Sequence, residues 1–397
     1  MRSAFFEYYI PTDEEFKELW SECIFVLDAN IMLNLYRYSE ETSMALIDLI
    51  SNVSKRLWVP HQAALEYHKN RITVISQQQQ AYSIVEKNIS ECKKKIRSEL
   101  LNYRKDSIVP IQEINSIIEQ NFTEILKSID LHKNNLPDYL ADDKVLHTLT
   151  GMLNGKVGDS FSQEKLDKIY KEGKIRYEKS IPPGFEDAKT KPEPDRYGDL
   201  IVWYQIIEKA KQSNCPIIFV TEDRKKDWWL EFEGKIIGPK RELLREISEK
   251  ANAKFYMYNT EQFMRYSKMY IHKDVKEVAI EEVQNLRITD ELKISKEEVK
   301  EKFNDRLLAT NYQMSEILRQ RRTDELSKEN YHDRIIELRN QLDELITLYC
   351  YNNLGGKNER CANDHDRILE INNQLDELIT LYCYNNLGRK KERCAND

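Results

Sequence analysis

The sequence IFVLDANIMLNLYRY, residues 24–38, carries the strongest structural signal in the chain. Its first four residues are apolar, lack polar alternation and are too few for a buried helix, so they predict a central strand covered on both faces. Asp28 and Asn30 follow, where the apolar spacing becomes helical. Open parallel sheets bind ligands at the carboxyl ends of their strands. The stretch therefore predicts a functional site at Asp28, although an acid here also commonly caps the following helix.

The composition indicates a globular protein with additional parts. Of its 397 residues 40% are hydrophobic, which is enough to bury one full core and predicts two or three structural units. Charged residues make up 32% of the chain and the formal net charge is −7. A surface that binds nucleic acid must therefore be a local patch.

The sequence contains no signal for a membrane or for secretion. No apolar run approaches the roughly 18 residues that a membrane span needs, and acids interrupt the N-terminal stretch where a signal peptide needs an apolar core. We therefore expect a cytoplasmic protein that does not bind membranes. The seven cysteines include no Cys-x-x-Cys pair, which predicts free thiols.

Strand and helix patterns alternate along the first 268 residues, as in α/β proteins. Residues 61–72 predict a helix with Leu65, His68 and Ile72 on one face and Glu66 on the other. Between 133 and 198, glycines and prolines predict loops. Apolar runs predict buried strands at 24–27 and 216–220, and further strands are predicted at 56–60, where proline ends a short strand, and at 254–258, where the strand is more amphipathic.

Changes of pattern divide the chain into five predicted segments. An α/β unit is interrupted by long polar helices and followed by a charged tail. The segments are the first part of the α/β unit (1–72), a mostly helical insertion (73–185), the second part of the unit (186–268), a charged helical segment (269–331) and two tandem repeats (332–397).

The tandem repeats are nearly identical. Residues 332–364 match residues 365–397 at 28 of 33 positions. Apolar residues recur in each copy at spacings of three and four, which predicts a short coiled coil. We expect the C-terminal helices to form a homo-oligomer, most simply a dimer, with a hairpin between the two copies as the alternative.

Four acids are predicted to meet at one edge of the sheet. Asp28 and Asp223 follow buried strands, Glu66 lies on the helix after the second strand, and Asp199 begins a helix that is apolar nearly all round. Each acid alone could be a helix cap, a turn residue or a solvated surface residue. Their four places in one βα alternation together predict a single carboxylate site.

Metal-dependent hydrolysis of phosphodiesters needs such a site, because several carboxylates hold Mg²⁺ or Mn²⁺. Bound metal reverses the charge of the site, so that nearby polar and cationic groups could hold flanking phosphates; an ordinary solvated surface is the alternative. The residues considered for contacts with nucleic acid are Arg37, Lys69, Asn70, Arg71, Lys225 and Lys226.

Four strings in order resemble a known family over about residues 1–268. They are FVLDAN-x-x-LNLYRYS, RLWVPHQAALEYHKNR, IPPGFEDAK…YGDLIVWYQII and IIFVTEDRKKDWW. Together they are similar to the PIN-like domain family of bacteria, a branch of the PIN nuclease superfamily. The resemblance implies an α/β fold, a Rossmann-like α/β/α sandwich with a parallel sheet, here with a long helical insertion and a helical or coiled-coil C-terminal region.

The resemblance also implies a metal-dependent nuclease that usually acts on RNA. An endoribonuclease that uses Mg²⁺ or Mn²⁺ is the implied function, and a toxin or phage-defence role is compatible with it. A DNA nuclease, a non-cleaving nucleic-acid sensor and an oligomerisation scaffold are the alternatives. By position the family's four acids match Asp28, Glu66, Asp199 and Asp223, with Asn30 and Thr221 as polar supports and Asp227 as an additional metal ligand.

The insertion predicts a basic arm. Its long helices carry more cations than packing needs, and a projecting arm of this kind could hold a folded RNA beside the metal site. The cations are Lys93, Lys94, Lys95, Arg97, Arg104 and Lys105.

Overall fold

A computed structural model describes residues 1–101, 110–233 and 235–289. The chain divides into two compact units, Met1–Gln284 and Asn285–Asp397, and the fold of the first unit follows. The tandem repeats, their predicted coiled coil and the cations Arg104 and Lys105 lie outside the described residues. The three cysteines in the described part are free.

The first unit alternates strands and helices. Its strands are β1 (Ile24–Leu27), β2 (Leu57–Trp58), β3 (Ile217–Val220), β4 (Trp229–Phe232), β5 (Lys235–Pro239) and β6 (Phe255–Tyr258). Its helices are α1 (Asp13–Glu22), α2 (Ala29–Asn34), α3 (Glu40–Asn52), α4 (His61–Leu101), α5 (Ile111–Asn134), α6 (Lys144–Leu153), α7 (Gln163–Glu178), α8 (Gly198–Ser213), α9 (Arg241–Ala251) and α10 (Thr260–Tyr270). None of these described helices is long and apolar enough to cross a membrane.

A parallel sheet forms the centre of the unit, with its strands in the order β2-β1-β3-β6. The central strands β1 and β3 pair in register, with Ile24 opposite Ile217 and Leu27 opposite Val220. Because both strands end at the same level, the residues that follow them meet at one edge. Asp28 donates its backbone N–H to the Val220 carbonyl at 3.0 Å. The predicted buried strands therefore deliver Asp28 and the segment after Val220 to the same place.

Helices cover both faces of this sheet. On one face Phe25 contacts Trp20 of α1 and Phe263 of α10, with ring centroids 5.2 and 5.6 Å apart. Phe219 points to the other face, where Trp228 lies 5.3 Å away. Trp203 of α8 lies on that same face and is fully buried. The predicted α/β/α sandwich is confirmed.

The long helices α4 and α5 form an antiparallel pair. The 41 residues of α4 give it a length of about 60 Å. Salt bridges from Glu86 to Lys133 and from Lys93 to Glu119 join it to α5. Glu66 thus lies on the same continuous helix, α4, as the first part of the projecting arm that α4 and α5 form. The packed face of α4 near Glu66 carries Tyr67, whereas Leu65, which was predicted on the apolar face, is half-exposed.

The chain between α5 and α8 is more regular than the sequence predicts. The glycine- and proline-containing stretch that predicts loops contains the helices α6 and α7. Helix α7 contributes the buried Arg176, which donates hydrogen bonds to Glu246 of α9. This connection fixes the loop that precedes α8, and that loop lines the site described below.

Candidate active site

Asp28 ends β1 and caps α2, as the simplest interpretation of its position predicts. Its Oδ1 accepts a hydrogen bond from the backbone N–H of Ala29 at 2.7 Å. Its Oδ2 accepts from Asn30 Nδ2 at 2.8 Å and from Thr221 Oγ1 at 2.6 Å. The cap therefore uses only one of the two oxygens, and the side chains of Asn30 in α2 and of Thr221, directly after β3, orient the other.

Asn30 and Thr221 connect the ends of the two central strands. Asn30 Oδ1 accepts a hydrogen bond from the backbone N–H of Glu222 at 2.9 Å. Thr221 is fully buried, and its Oγ1 accepts from the backbone N–H of Asp223 at 2.9 Å. These bonds fold the residues after β3 back toward Asp28.

Three carboxylates surround the ammonium group of Lys225. Its Nζ lies 2.8 Å from Asp187 Oδ1, 2.8 Å from Asp199 Oδ2 and 2.9 Å from Asp223 Oδ2. We call these three acids and Lys225 the lysine cluster. Asp187 is a member that the sequence-based prediction missed, although it lies in the string IPPGFEDAK. Its position depends on a loop whose path the sequence does not reveal.

Glu66 approaches this region from α4. Its Oε1 accepts a hydrogen bond from Gln62 Nε2 at 2.8 Å. It also lies close to Gly198: a Cβ atom there would be 2.8 Å from Oε1, so a larger residue would require the Glu66 carboxylate to shift. The glycine before Asp199 in the sequence YGD therefore leaves room for Glu66 at the start of α8.

Asp227 is fully buried behind the lysine cluster. Its Oδ2 accepts hydrogen bonds from the backbone N–H groups of Gly184 and Glu186, at 2.8 and 3.0 Å. Within the described residues its Oδ1 has no hydrogen-bond partner. Asp227 thus holds the loop that carries Asp187 through Oδ2, while its buried Oδ1 makes no hydrogen bond with a described residue.

The acids oppose each other's ionisation. Removal from bulk water, together with the charges of Glu66, Asp223 and Asp199, raises the pKa of Asp28 to about 7. Burial and the charge of Asp199 raise the pKa of Asp223 to about 6. Burial also raises the pKa of Glu66, and the charge of Asp199 adds to the effect. A site with this excess of negative charge favours an added cation.

Comparison with known proteins gives one match. A family model described as a PIN like domain matches residues 24–243, which is more than half of the chain. The chain belongs to the PIN like domain family. PIN domains are in general nucleases, so membership places the chain in a nuclease superfamily. Neither curated proteins nor solved structures gave a match.

The four acids predicted from the sequence all lie in the region just described. Asp199 and Asp223 share the ammonium of Lys225, Asp28 interacts electrostatically with both of these acids, and Glu66 interacts with Asp199. The residues considered for nucleic-acid contacts divide into two groups. Arg37, Lys69, Asn70 and Lys226 are exposed, whereas Arg71 and Lys225 are engaged inside the protein.

Two expectations about phosphate contacts need correction. Arg71 forms a salt bridge with Asp143, which is buried and also accepts a hydrogen bond from Tyr36 Oη. Its guanidinium therefore neutralises an internal acid instead of facing a phosphate. Lys225 does not flank the site as expected, because three acids hold its ammonium at the centre of the site.

The donors of the site suit a hard divalent cation. Carboxylate oxygens are the ligands that Mg²⁺ and Mn²⁺ take in proteins, and three of them already converge on one cation in the lysine cluster. Among residues 1–101, 110–233 and 235–289, no three His, Cys, Asp or Glu side chains are grouped closely enough to form a metal site. In the lysine cluster the ammonium fills the space between the carboxylates. The acids present are of the type that holds such an ion, and once Lys225 moves aside they would have to draw closer together to bind it.

Proposed function

We propose that this member of the PIN like domain family is a metal-dependent endoribonuclease, which hydrolyses phosphodiester bonds in RNA. The observation that carries the proposal is the convergence of Asp187, Asp199 and Asp223 on one cation, next to Asp28 at the carboxyl edge of the sheet. Family membership supports the general class of nuclease. The all-carboxylate donor set supports dependence on Mg²⁺ or Mn²⁺.

The acids at the sheet edge would hold the metal. These are Asp28, Asp199 and Asp223, with Asp187, Glu66 and the remaining oxygen of Asp227 close by. When bound, Mg²⁺ or Mn²⁺ supplies a water of lowered pKa and stabilises negative charge on the phosphate.

The other residues of the site orient these ligands. Asn30 and Thr221 fix the Oδ2 atom of Asp28, and Trp228 Nε1 donates a hydrogen bond to Asp199 Oδ2 at 3.3 Å. Glu66 uses only Oε1 for a hydrogen bond within the described residues, and its raised pKa suits it to accept a proton from an attacking water through Oε2.

Substrate panels test the proposal directly. The full-length protein is incubated with labelled single-stranded and folded RNA, and with DNA of the same sequences, in Mn²⁺, Mg²⁺ or EDTA. We expect metal-dependent cleavage of RNA, no cleavage in EDTA, and internal cut positions in the mapped ends. Cleavage of DNA but not of RNA would show that the protein is a DNA nuclease instead. Absence of cleavage in every panel, with retained binding, would favour a non-cleaving sensor, for which the occupation of the site by Lys225 is the supporting observation.

The arm formed by α4 and α5 carries the proposed contact with folded RNA. Lys93 is paired with Glu119, whereas Lys94 and Lys95 are exposed and form no ion pair with a described residue. Exposed cations of this kind bind phosphates by releasing counterions.

Neutralising these two lysines should weaken RNA binding. We expect Lys94→Gln/Lys95→Gln to lower the slope of log affinity against log salt by about 1.4 to 1.8, because each lost phosphate contact removes 0.7 to 0.9. Binding is measured by fluorescence anisotropy across a salt series. The control is Lys171→Gln/Lys174→Gln on α7, which removes two exposed lysines elsewhere. Equal slopes in both variants would mean that the arm does not hold RNA.

We also propose a toxin or phage-defence role, which depends on the proposed cleavage of RNA. Homo-oligomerisation through residues 270–397 stays a prediction, because residues 290–397 lie outside the described part of the chain.

A further inference from the structure

The ammonium of Lys225 occupies the position where the acids converge. Its side chain is only 29% exposed, and those of Asp187, Asp199 and Asp223 are 4%, 17% and 14% exposed. Each of the three ammonium protons has its own carboxylate acceptor, which is the full donor capacity of a lysine. These three ion pairs hold the ammonium at the point where the carboxylates converge.

The backbone of Lys225 is fixed separately from its side chain. Its N–H donates to Asp223 Oδ1 at 2.8 Å, and its carbonyl accepts from the Trp228 N–H at 3.0 Å. Between this fixed backbone and the ammonium lie four rotatable methylenes. The ammonium can therefore leave the cluster without a change in the backbone, provided that another cation replaces its charge.

One lysine does not neutralise the site. Lys225 meets three carboxylates directly, and the charges of Asp28, Glu66 and Asp227 act on the same region. Lys191 adds one cation at the rim, where its Nζ bonds the outer oxygen of Asp187 at 2.6 Å. A single positive charge at the centre is thus a partial substitute for a divalent ion in a strongly negative site.

We propose that Lys225 is an internal competitor of the metal: its ammonium fills the divalent-cation position in the metal-free protein and must leave before Mg²⁺ or Mn²⁺ binds. This inference rests on the proposed function. It has two consequences. The acids stay close together without metal, because the lysine offsets their repulsion. The affinity for metal is lower than the carboxylates alone would give, because each binding event breaks three ion pairs.

Two other roles for Lys225 lead to different expectations. A permanent structural ion pair would be needed for folding whether or not metal is present. A lysine that contacts only the phosphate of the substrate would leave the affinity for metal unchanged when it is replaced. Of the three roles, only that of a competitor predicts that loss of Lys225 both strengthens metal binding and makes the fold depend on metal.

The test replaces Lys225 by methionine, which keeps the length of the side chain and removes its charge. Wild type, Lys225→Met and the control Lys226→Met are prepared as full-length chains and freed of metal. Lys226 is the adjacent lysine, is exposed, and has no ion pair within the described ranges. Mn²⁺ binding is measured by calorimetric titration, and thermal unfolding is recorded with EDTA and with saturating Mn²⁺. Cleavage of the RNA panel is recorded in parallel.

We expect Lys225→Met to bind Mn²⁺ at least about tenfold more tightly than wild type, because no ammonium has to be displaced. It should unfold at a lower temperature than wild type in EDTA and recover in Mn²⁺, whereas Lys226→Met should match wild type in both respects. Equal Mn²⁺ affinity in wild type and Lys225→Met would overturn the inference, and so would a Lys225→Met protein that stays unfolded at saturating Mn²⁺. In either case metal-dependent RNA cleavage by wild type would leave the proposed function standing. Failure of both proteins to bind Mn²⁺ would overturn the inference and the metal dependence together.

Discussion

Asp28→Asn, Asp223→Asn and the double variant should each lose at least about a thousandfold in the rate of RNA cleavage while remaining folded. The amide keeps the shape of the carboxylate but removes the charge that holds a divalent ion. The two acids come from adjacent strands and meet at the same edge, so each loss affects the same metal position. Single-turnover cleavage of a labelled RNA in saturating Mn²⁺ measures the effect.

The same substitutions should not unfold the protein. The pKa of Asp28 in the fold is raised to about 7 from 3.8, so its ionised form costs stability once the pH exceeds the unfolded value. This cost grows between about pH 4 and pH 7, and asparagine removes it. Without metal, Asp28→Asn should therefore be as stable as wild type or more stable at pH 7.5, as measured by urea unfolding in EDTA.

Asp130→Asn is the matched control for cleavage. Asp130 is an exposed acid on α5, and its side chain has no hydrogen bond or ion pair among the residues described. Its variant should cut RNA at the wild-type rate. Undiminished cleavage by a folded Asp28→Asn/Asp223→Asn protein would remove these acids from the chemistry.

Buried strands were the most predictable part of the fold. Continuous apolar runs predict β1 and β3, because a strand covered on both faces is apolar throughout and these runs are too short for a buried helix. The hairpin of β4 and β5 was missed because it is largely exposed: Phe232 is 64% and Ile237 is 42% exposed. Its apolar residues therefore do not form the pattern of a core strand.

Positions along the chain are easier to predict than the partners of side chains. The string TEDRKKD contains adjacent lysines, and the turn after β3 decides that Lys225 enters the acid cluster while Lys226 faces solvent. Arg71 pairs with Asp143, a partner 72 positions later in the sequence, after both helices of the arm. Neither outcome follows from spacing, because both depend on how distant segments return to the sheet.

Glu246→Gln should produce the largest loss of stability outside the site, about 2 to 4 kcal/mol at pH 7. Glu246 accepts two hydrogen bonds from Arg176 at 2.7 and 2.9 Å and one from Trp203 Nε1 at 2.7 Å. The carboxylate is 15% exposed and the guanidinium 9%. Glutamine cannot neutralise Arg176, so a buried charge loses its main partner.

The ion pair of Arg176 and Glu246 also supports the site, through the loop between α7 and α8. Arg176 donates a further hydrogen bond to the carbonyl of Pro182, at the start of the loop that reaches Gly184 and Asp187. That loop gives its backbone N–H groups to Asp227 and a carboxylate to Lys225. Loosening Arg176 should therefore weaken Mn²⁺ binding as well as the fold.

The pH dependence of the loss identifies its cause. Burial opposes ionisation of Glu246, but the hydrogen bonds and charge of Arg176 outweigh it and lower the pKa from 4.5 to about 2. An acid whose pKa is lowered by folding stabilises the fold fully above about pH 4.5, and this contribution disappears as the pH falls towards 2. Urea unfolding should therefore show a smaller difference between wild type and Glu246→Gln at pH 3 than at pH 7. Glu249→Gln, which changes an exposed acid on the same helix, should have little effect at either pH. If both variants lose equal stability, or if the loss from Glu246→Gln is the same at pH 3 and pH 7, the ion pair does not hold α7 to α9.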